Sequence, residues 1–348
     1  MTNLTTLNTA PAINYNQLEE VCGSTLFPAL YQPGEVKLKR RAHRHPDCIM
    51  SNPDYIPDET LLRRSLAWFF FPSMKPLGLH GETGTGKTEL ALYICDMLNE
   101  PLYIVKVHPA LMPEDIEGCK DLIASEKGVV SKNSLGLAAK AYRNGGVLLL
   151  DEVDKVNAPL GCALHGLTDG KPWPIEQFNI VINKHPYFRC MATANTMGEG
   201  GHERYHTSNR MDQALRSRFG WRQTHFPDSV HELKILEKKF PMLPYGMKKE
   251  MVSLANAMRD ALLGKDRKGN IDNPINAVFS TRTLVDWGKA TLCFGKTAIW
   301  RESLDYAFQG SIDPEHLDSV NDIIHQKLHG IIDKTVKEVV EEYTTVKK

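Results

Sequence analysis

One stretch decides the fold of this chain: Gly81-Glu82-Thr83-Gly84-Thr85-Gly86-Lys87-Thr88. It follows the pattern G-x-x-x-x-G-K-[ST], the phosphate-binding P-loop. The glycines and small residues let successive backbone N–H groups turn inward around phosphate oxygens, and the N-terminus of the following helix adds the positive end of its dipole. The pattern predicts that Lys87 reaches the β- and γ-phosphates and that the hydroxyl of Thr88 binds Mg²⁺.

The sequence on either side of the P-loop has the context that the motif requires. Residues 76–80 can form a short buried strand, and residues 88–98 have the apolar spacing of a helix. The order strand, loop, helix is the one in which this pattern binds phosphate. The alternative, a plain Gly-rich turn, does not explain this context.

Composition places the chain among ordinary globular proteins. It has 348 residues, 42% hydrophobic and 24% charged, which is enough for two or three domains. The formal net charge of zero argues against a broad electrostatic grip on DNA or an anionic membrane, although a local patch stays possible. No apolar run approaches a membrane span, and residues 1–16 lack the apolar core of a signal peptide. Seven scattered cysteines without C-x-x-C predict a reducing, cytoplasmic setting.

A second motif lies downstream, where an apolar strand at residues 147–150 ends in Asp151 and Glu152. A strand that is apolar at every position is buried on both faces, as in a parallel sheet, whose carboxyl edge is where ligands bind. Asp151 is predicted to hold the hydration shell of Mg²⁺, and Glu152 to orient or deprotonate the attacking water. The alternative is a strand that ends in acids without function, and the P-loop upstream makes it the weaker one.

A third polar strand end follows at Asn195, after the strand at residues 187–194. Its amide could hold the attacking water or a γ-phosphate oxygen. Taken alone this signal is weak, because Asn is also a common turn residue.

The N-terminal residues 1–54 form a partly irregular extension, in which residues 37–45 are locally basic. A contact with nucleic acid or an acidic partner is one interpretation, and a solvated linker is the other. We favour the linker because no aromatic residues interleave the basic ones. His43, His45 and Cys48 lack a fourth ligand at regular spacing, so a metal site there is disfavoured.

The motif order now carries a family resemblance. Residues 55–295 resemble AAA+ ATPases of the MoxR-like branch, and most closely the cobaltochelatase ATPase subunit. Residues 185–198 are similar to that subunit's H-P-x-F-R-x-x-A-T-A-N-T-x-G, and Tyr205-His206 and residues 211–219 follow at similar spacing.

The resemblance implies a site that combines these motifs. Nucleotide-binding residues are expected at Gly81, Glu82, Thr83, Gly84, Thr85, Gly86, Lys87, Thr88 and Glu89. Asp151 and Glu152 then correspond to Walker B, and Asn195 to sensor 1. Arg218 matches the arginine finger that reaches a neighbouring subunit's nucleotide, Arg216 is a further candidate, and Arg282 resembles sensor 2. From the residues alone, these arginines would be read as surface or helix-capping residues.

The implied fold is α/β: a P-loop NTPase core of three α/β/α layers around a parallel sheet, followed by a small helical lid. We expect the core at residues 55–228, the lid at 229–295 and further helices at 296–348. Insertions in the manner of this branch are expected at about 119–133 and as a hairpin at about 173–183.

The implied function is hydrolysis of Mg-ATP by a homo-oligomeric ring, expected to be a hexamer, that remodels a partner protein with a von Willebrand factor A-type domain. Residues 108–118 contain no aromatic residue, which weakens a threading mechanism. The alternative is a DNA-associated ATPase of a recombination, mobile-element or defence system that contacts DNA through residues 37–44. A third hypothesis, a switch that does not hydrolyse nucleotide, is disfavoured by Glu152 and Arg218.

Overall fold

The computed structural model describes residues 13–125, 128–197, 209, 211–264 and 275–345. The strands are β1 (Leu18–Cys22), β2 (Lys37–Arg41), β3 (Leu77–His80), β4 (Leu102–Lys106), β5 (Gly118–Ser125), β6 (Gly128–Leu135), β7 (Gly146–Asp151), β8 (Trp173–Ile175), β9 (Ile180–Ile182), β10 (Phe188–Ala194) and β11 (Gly220–Gln223). The α-helices are α1 (Gly23–Leu26), α2 (Glu59–Phe70), α3 (Lys87–Met97), α4 (Pro113–Glu117), α5 (Leu137–Asn144), α6 (Ala158–Asp169), α7 (Gln213–Arg218), α8 (Ser229–Lys239), α9 (Tyr245–Leu263), α10 (Thr281–Phe294), α11 (Trp300–Phe308), α12 (Leu317–Leu328) and α13 (Val336–Thr345).

A parallel sheet of five strands forms the centre of the core, in the order β11-β3-β10-β7-β4. Strand β7 is buried along residues 146–150, as its apolar sequence predicts for a strand covered on both faces. The strand that leads into the P-loop, β3, lies between β10 and β11. The predicted α/β class and parallel sheet are therefore confirmed.

The two faces of the sheet pack against different helices. Val147 and Leu149 face a core shared with α2 and α3, whereas Leu148 and Leu150 face a core shared with α5, α6 and α7. This alternation follows from the two-residue period of a strand. The result is the predicted arrangement of three layers, helices on each side of one sheet.

Part of the N-terminal extension is a folded hairpin, so the interpretation of residues 37–45 as a solvated linker is wrong. Strands β1 and β2 pair antiparallel, and Leu38 and Arg41 of β2 are buried. The arginines of this run form ion pairs with these N–O distances: Arg41–Glu100 2.7 Å, Arg40–Glu19 2.7 Å and Arg44–Asp96 2.6 Å. The sequence did not predict this strand, because its side chains are mostly basic and long cationic side chains are also common on solvated segments.

Both expected insertions are antiparallel hairpins, β5–β6 and β8–β9. The pairs Glu126-Lys127 and Tyr205-His206 lie outside the described residues. The segment at 108–118 contains the short helix α4, which begins with Pro113 and has Asp115 accepting from the backbone N–H of Met112.

The helices after residue 228 share one hydrophobic core, to which α8 to α13 all contribute. Trp287 of α10 stacks on Trp300 of α11 with ring centroids 5.1 Å apart. Helix α11 lies in the range expected to be helical, although its N-cap residue Ile299 offers no capping side chain as a start signal. In the described part of the chain, no helix is both long enough and apolar enough to cross a membrane.

Candidate active site

The backbone of the P-loop takes a shape that its glycines permit. Gly81, Gly84 and Gly86 have φ values of 147°, 76° and 83°, where side chains are disfavoured. A Cβ atom at Gly81 would lie 2.3 Å from the carbonyl oxygen of Thr224, and one at Gly84 would lie 2.4 Å from the Cβ of Ser280. The loop is thus enclosed by β11 on one side and by the start of α10 on the other.

Lys87 begins helix α3 and turns its ammonium group back into the loop. Its Nζ donates to the carbonyl oxygens of Gly81 at 2.7 Å and Glu82 at 2.9 Å, and to Asn195 Oδ1 at 3.2 Å. Burial lowers the pKa of Lys87 to about 8, and nearby carboxylates oppose that shift. A cation held this way, with donors that can turn from carbonyl to phosphate oxygens, fits a phosphate-binding lysine.

Two predicted oxygen ligands of Mg²⁺, from Thr88 and Asp151, lie in contact at the end of β7. The Thr88 hydroxyl donates to Asp151 Oδ1 at 2.9 Å, and the Thr193 hydroxyl from β10 donates to the same oxygen. Mg²⁺ is commonly held by one or two protein oxygens together with waters and substrate phosphates. The described residues contain no cluster of three or more His, Cys, Asp or Glu side chains for a metal, so a magnesium ion here would depend on such additional oxygens.

Glu152 follows at the same sheet edge in a conformation that is unusual for a residue with a side chain. Its φ is 59°, in the left-handed region, and such strain costs about 1–3 kcal/mol and tends to occur at functional sites. Its backbone N–H donates to the Thr193 hydroxyl at 3.0 Å, and its carboxylate lies 3.0 Å from Lys155 Nζ. The main chain therefore fixes where this carboxylate projects.

Asp154 is a site residue that sequence reasoning missed. It is 1% exposed, and its Oδ2 accepts from the backbone N–H of Asn195 at 3.2 Å and from the N–H and hydroxyl of Thr196 at 3.1 and 3.0 Å. The carboxylate thus holds the segment that carries Asn195 against the end of β7. Its only sequence signal was its place three residues after Asp151.

A cavity of about 550 Å³ opens beside the P-loop, between the core and the helices after residue 228. Its lining includes Gly84 and Gly86, Tyr55 and Ile56 from the segment before α2, and the exposed Arg282 on α10. Glu89 also lines it, and its Oε2 is buried with no hydrogen-bond partner in the part of the chain described. The size suits a small organic ligand.

The three predicted arginines lie in different places. Arg282 is at the cavity, and Arg216 Nη1 donates to the carbonyl oxygen of Met197, two residues after Asn195, at 3.3 Å. Arg218 lies away from the P-loop, beside a second cavity lined by Pro76 and Phe188, which precede or begin strands β3 and β10. The structure therefore brings Lys87, Thr88, Asp151, Glu152 and Asn195 together at the carboxyl edge of the sheet and leaves Arg218 near the amino edge.

A P-loop and a Walker B strand at the carboxyl edge of a parallel sheet define the class of P-loop nucleoside triphosphatases. Residues 76–219 match the AAA domain (dynein-related subfamily). Residues 76–219 therefore form an AAA domain, and the predicted resemblance to AAA+ ATPases of the MoxR-like branch is confirmed.

Several known proteins are similar to this chain. The aerobic cobaltochelatase subunit CobS of a Sinorhizobium species is 27% identical over 71% of this chain and 74% of its own length. Protein NorQ of Paracoccus denitrificans is 29% identical over 47% of this chain and 57% of its own length. Among solved structures, a mutant of Thermotoga maritima RuvB is 15% identical, with a TM-score of 0.44 over 83% of this chain and 87% of its own.

Proposed function

We propose that this ATPase hydrolyses Mg-ATP at sites completed between copies of itself in a ring, expected to contain six, and that it uses the energy to remodel a separate partner protein. The observation that carries the proposal is that Arg218 lies far from the predicted nucleotide-binding residues of its own copy. Lys87, Asp151 and Asn195 meet at the carboxyl edge of the sheet, whereas Arg218 lies near the amino edge of the same copy.

The residues at the carboxyl edge take the following parts in the proposal. Lys87 binds the β- and γ-phosphates, giving up its bonds to the loop carbonyls, and the triphosphate follows the P-loop towards the start of α3. Thr88 and Asp151 hold Mg²⁺, which neutralises charge on the phosphate oxygens when it is bound.

Glu152 takes a proton from the attacking water, and Asn195 fixes the position of that water or of the γ-phosphate. Asp154 keeps Asn195 in place through its backbone N–H, at 3.2 Å. The adenosine part of the nucleotide occupies the cavity beside Gly84, where Arg282 contacts it from α10. The helix α10 then moves when ATP is replaced by ADP, and this movement transmits the nucleotide state to the rest of the protein.

The proposed work on a partner rests on the relatives. CobS is by name a subunit of a chelatase, so a MoxR-like ATPase of this kind can serve a larger assembly. We propose that the partner here is a separate chain with a von Willebrand factor A-type domain. The ion pairs of Arg40, Arg41 and Arg44 leave this basic run less able to neutralise DNA phosphates, so the contacts of this run do not favour the DNA-associated alternative.

The variant Glu152→Gln tests the assignment of the reacting residues. It keeps the shape of the side chain but removes the base, so we expect ATP to bind within about twofold of the original affinity and turnover to fall by about 10²–10⁴-fold. Glu315→Gln, an exposed acid near α12, is the matched control and leaves both quantities unchanged. Steady-state phosphate release and titration with a fluorescent ATP analogue measure them. Normal turnover in Glu152→Gln would refute the assignment.

A further inference from the structure

We infer that Asp169 is a positioning residue for Arg218: it holds the guanidinium so that the group faces the phosphates bound by a second copy of this chain. The inference rests on the proposed function, since it gives Arg218 its target. Nothing in the sequence pointed to Asp169, which lies 49 residues before Arg218 and ends helix α6.

The contact between the two residues fixes the plane of the guanidinium. Arg218 Nε donates to Asp169 Oδ1 at 2.8 Å, and Nη2 donates to Oδ2 at 3.1 Å, so the pair is bidentate. Arg218 Nη1 donates to the carbonyl oxygen of Ala214 at 2.7 Å, inside its own helix. Bidentate pairing adds geometric specificity that a single hydrogen bond cannot supply.

The same contacts leave Arg218 able to bind a further anion. A guanidinium has five N–H donors, and these contacts use three of them, so that one N–H on Nη1 and one on Nη2 remain. Arg218 keeps 24% of its side chain exposed. Asp169 therefore orients the arginine without using all of its donors.

The position of Asp169 is otherwise an unfavourable one for an acid. It is the last residue of α6, where the negative end of the helix dipole disfavours a carboxylate. The hydrogen bond from Arg218 lowers the pKa of Asp169, so the carboxylate is charged at neutral pH. The pairing with Arg218 therefore accounts for a carboxylate at this position, whereas the dipole of α6 does not.

The two helices are held in fixed relation, so the pair is built into the fold. Leu215 of α7 is fully buried and lies against α6, where a Cβ at Gly161 would be 3.9 Å from its Cδ2. Lys75, in the loop before β3, donates to the carbonyl oxygen of Ser217 at 2.9 Å and ties down the end of α7. Arg218 is thus presented from a rigid support.

The surroundings remain positive despite the acid. The cavity of about 560 Å³ beside Arg218 is also lined by Lys75, Lys184 and Arg189. Burial lowers the pKa of Lys184 and that of Arg189, and the charge of Arg189 lowers the pKa of Lys184 further. Neither side chain forms an ion pair with a carboxylate among the described residues. With four cations to one acid, this region attracts an approaching anion such as a triphosphate.

A double-mutant cycle on the ATPase turnover of the full chain tests the inference. If Asp169 acts through Arg218, Asp169→Asn lowers kcat by about tenfold, leaves the KM for ATP within about twofold, and has no additional effect in the Arg218→Ala background. Asp169→Glu, which keeps the carboxylate, restores part of the activity. Unchanged kcat in Asp169→Asn, or an equal loss in both backgrounds, would overturn it.

Two further measurements separate the positioning of Arg218 from a role of Asp169 in assembly. Size-exclusion profiles of Asp169→Asn match those of the original protein; loss of assembly would show an interface role instead and overturn the inference. Glu342→Gln, which removes an exposed carboxylate paired with Lys334, is the control and changes nothing. Full turnover in Arg218→Ala would refute the proposed intersubunit site itself, whereas loss in Arg218→Ala with normal Asp169→Asn would refute only the positioning.

Discussion

At the scale of single residues, the burial of Lys87 lowers its pKa, and this predicts that ATP binding is coupled to proton uptake. Its pKa of about 8 means that about half of the ammonium is neutral near pH 8. Phosphate oxygens stabilise the charged form and raise that pKa, so ATP binding draws in a proton. We expect an uptake of about half a proton per ATP near pH 8, falling towards zero from this group as the pH drops below about 7.

Calorimetry of ATP binding in two buffers with different ionisation enthalpies measures this uptake. The proton uptake per ATP is compared near pH 8 and below about pH 7, because a Lys87 that is already protonated has no proton to gain. Equal proton uptake across this range would contradict the burial of Lys87 as its cause.

Asp154 and Asn195 show what can be read at this scale and what cannot. Asn195 was predicted because it ends an apolar strand, a local pattern. Asp154 binds the backbone of residues more than forty positions away, at 3.1–3.2 Å. A contact of that kind depends on how β7 and β10 lie side by side, which no local pattern encodes.

At the scale of elements, the start of α10 lies directly on the P-loop. Ser280 caps this helix by accepting from the N–H of Thr283 at 3.1 Å, and its Cβ would be 2.4 Å from a Cβ at Gly84. Gly84→Ala therefore has to push α10 away from the nucleotide cavity. We expect ATP affinity to fall by about tenfold or more, measured by titration with a fluorescent analogue.

Gly330→Ala is the matched control for that variant. Gly330 has φ 75°, almost equal to the 76° of Gly84, but no atom would lie within 4 Å of its added Cβ. Both variants carry the same backbone strain of about 1–2 kcal/mol, and only one meets α10. An equal loss of affinity in the two would show that strain, not contact with α10, is responsible.

The N-terminal hairpin is fastened to the core by one buried ion pair. Arg41 and Glu100 have side chains 1% and 6% exposed, whereas the neighbouring pair Arg40–Glu19 is 31% and 39% exposed. Arg41→Ala leaves a buried carboxylate without its partner and should cost about 3–5 kcal/mol of unfolding free energy. Arg40→Ala should cost about 0–1 kcal/mol. Urea unfolding compares them, and similar losses would contradict the distinction.

The elements that could be predicted are those whose sequence pattern matches their surroundings. Strand β7 is apolar because both of its faces are covered, and helix α10 lies between Ser280, which caps it, and Gly295, which ends it. Strand β2 could not be predicted, since its buried Arg41 is paired with Glu100, which lies outside the hairpin. Burial of that kind becomes visible only when the tertiary contact is known.

At the scale of the whole molecule, the residues of the proposed site lie at two separate places in one copy. The P-loop lies at the carboxyl edge of the sheet, and Arg218 lies near the amino edge beside Pro76. In the proposed ring, a head-to-tail arrangement would join the P-loop edge of one copy to the Arg218 edge of the next and would repeat until the ring closes. This accounts for a site that no single copy completes.

Mixing two impaired variants tests whether the active site is shared between neighbouring copies. Lys87→Ala cannot hold ATP but keeps Arg218, and Arg218→Ala holds ATP but cannot complete a neighbouring site. Each alone should retain only a small residual turnover, and an equal mixture, after subunit exchange, should recover about one quarter of the original turnover, since that fraction of interfaces pairs an intact P-loop with an intact arginine. A mixture as inactive as its components, or full activity of Arg218→Ala alone, would contradict the account.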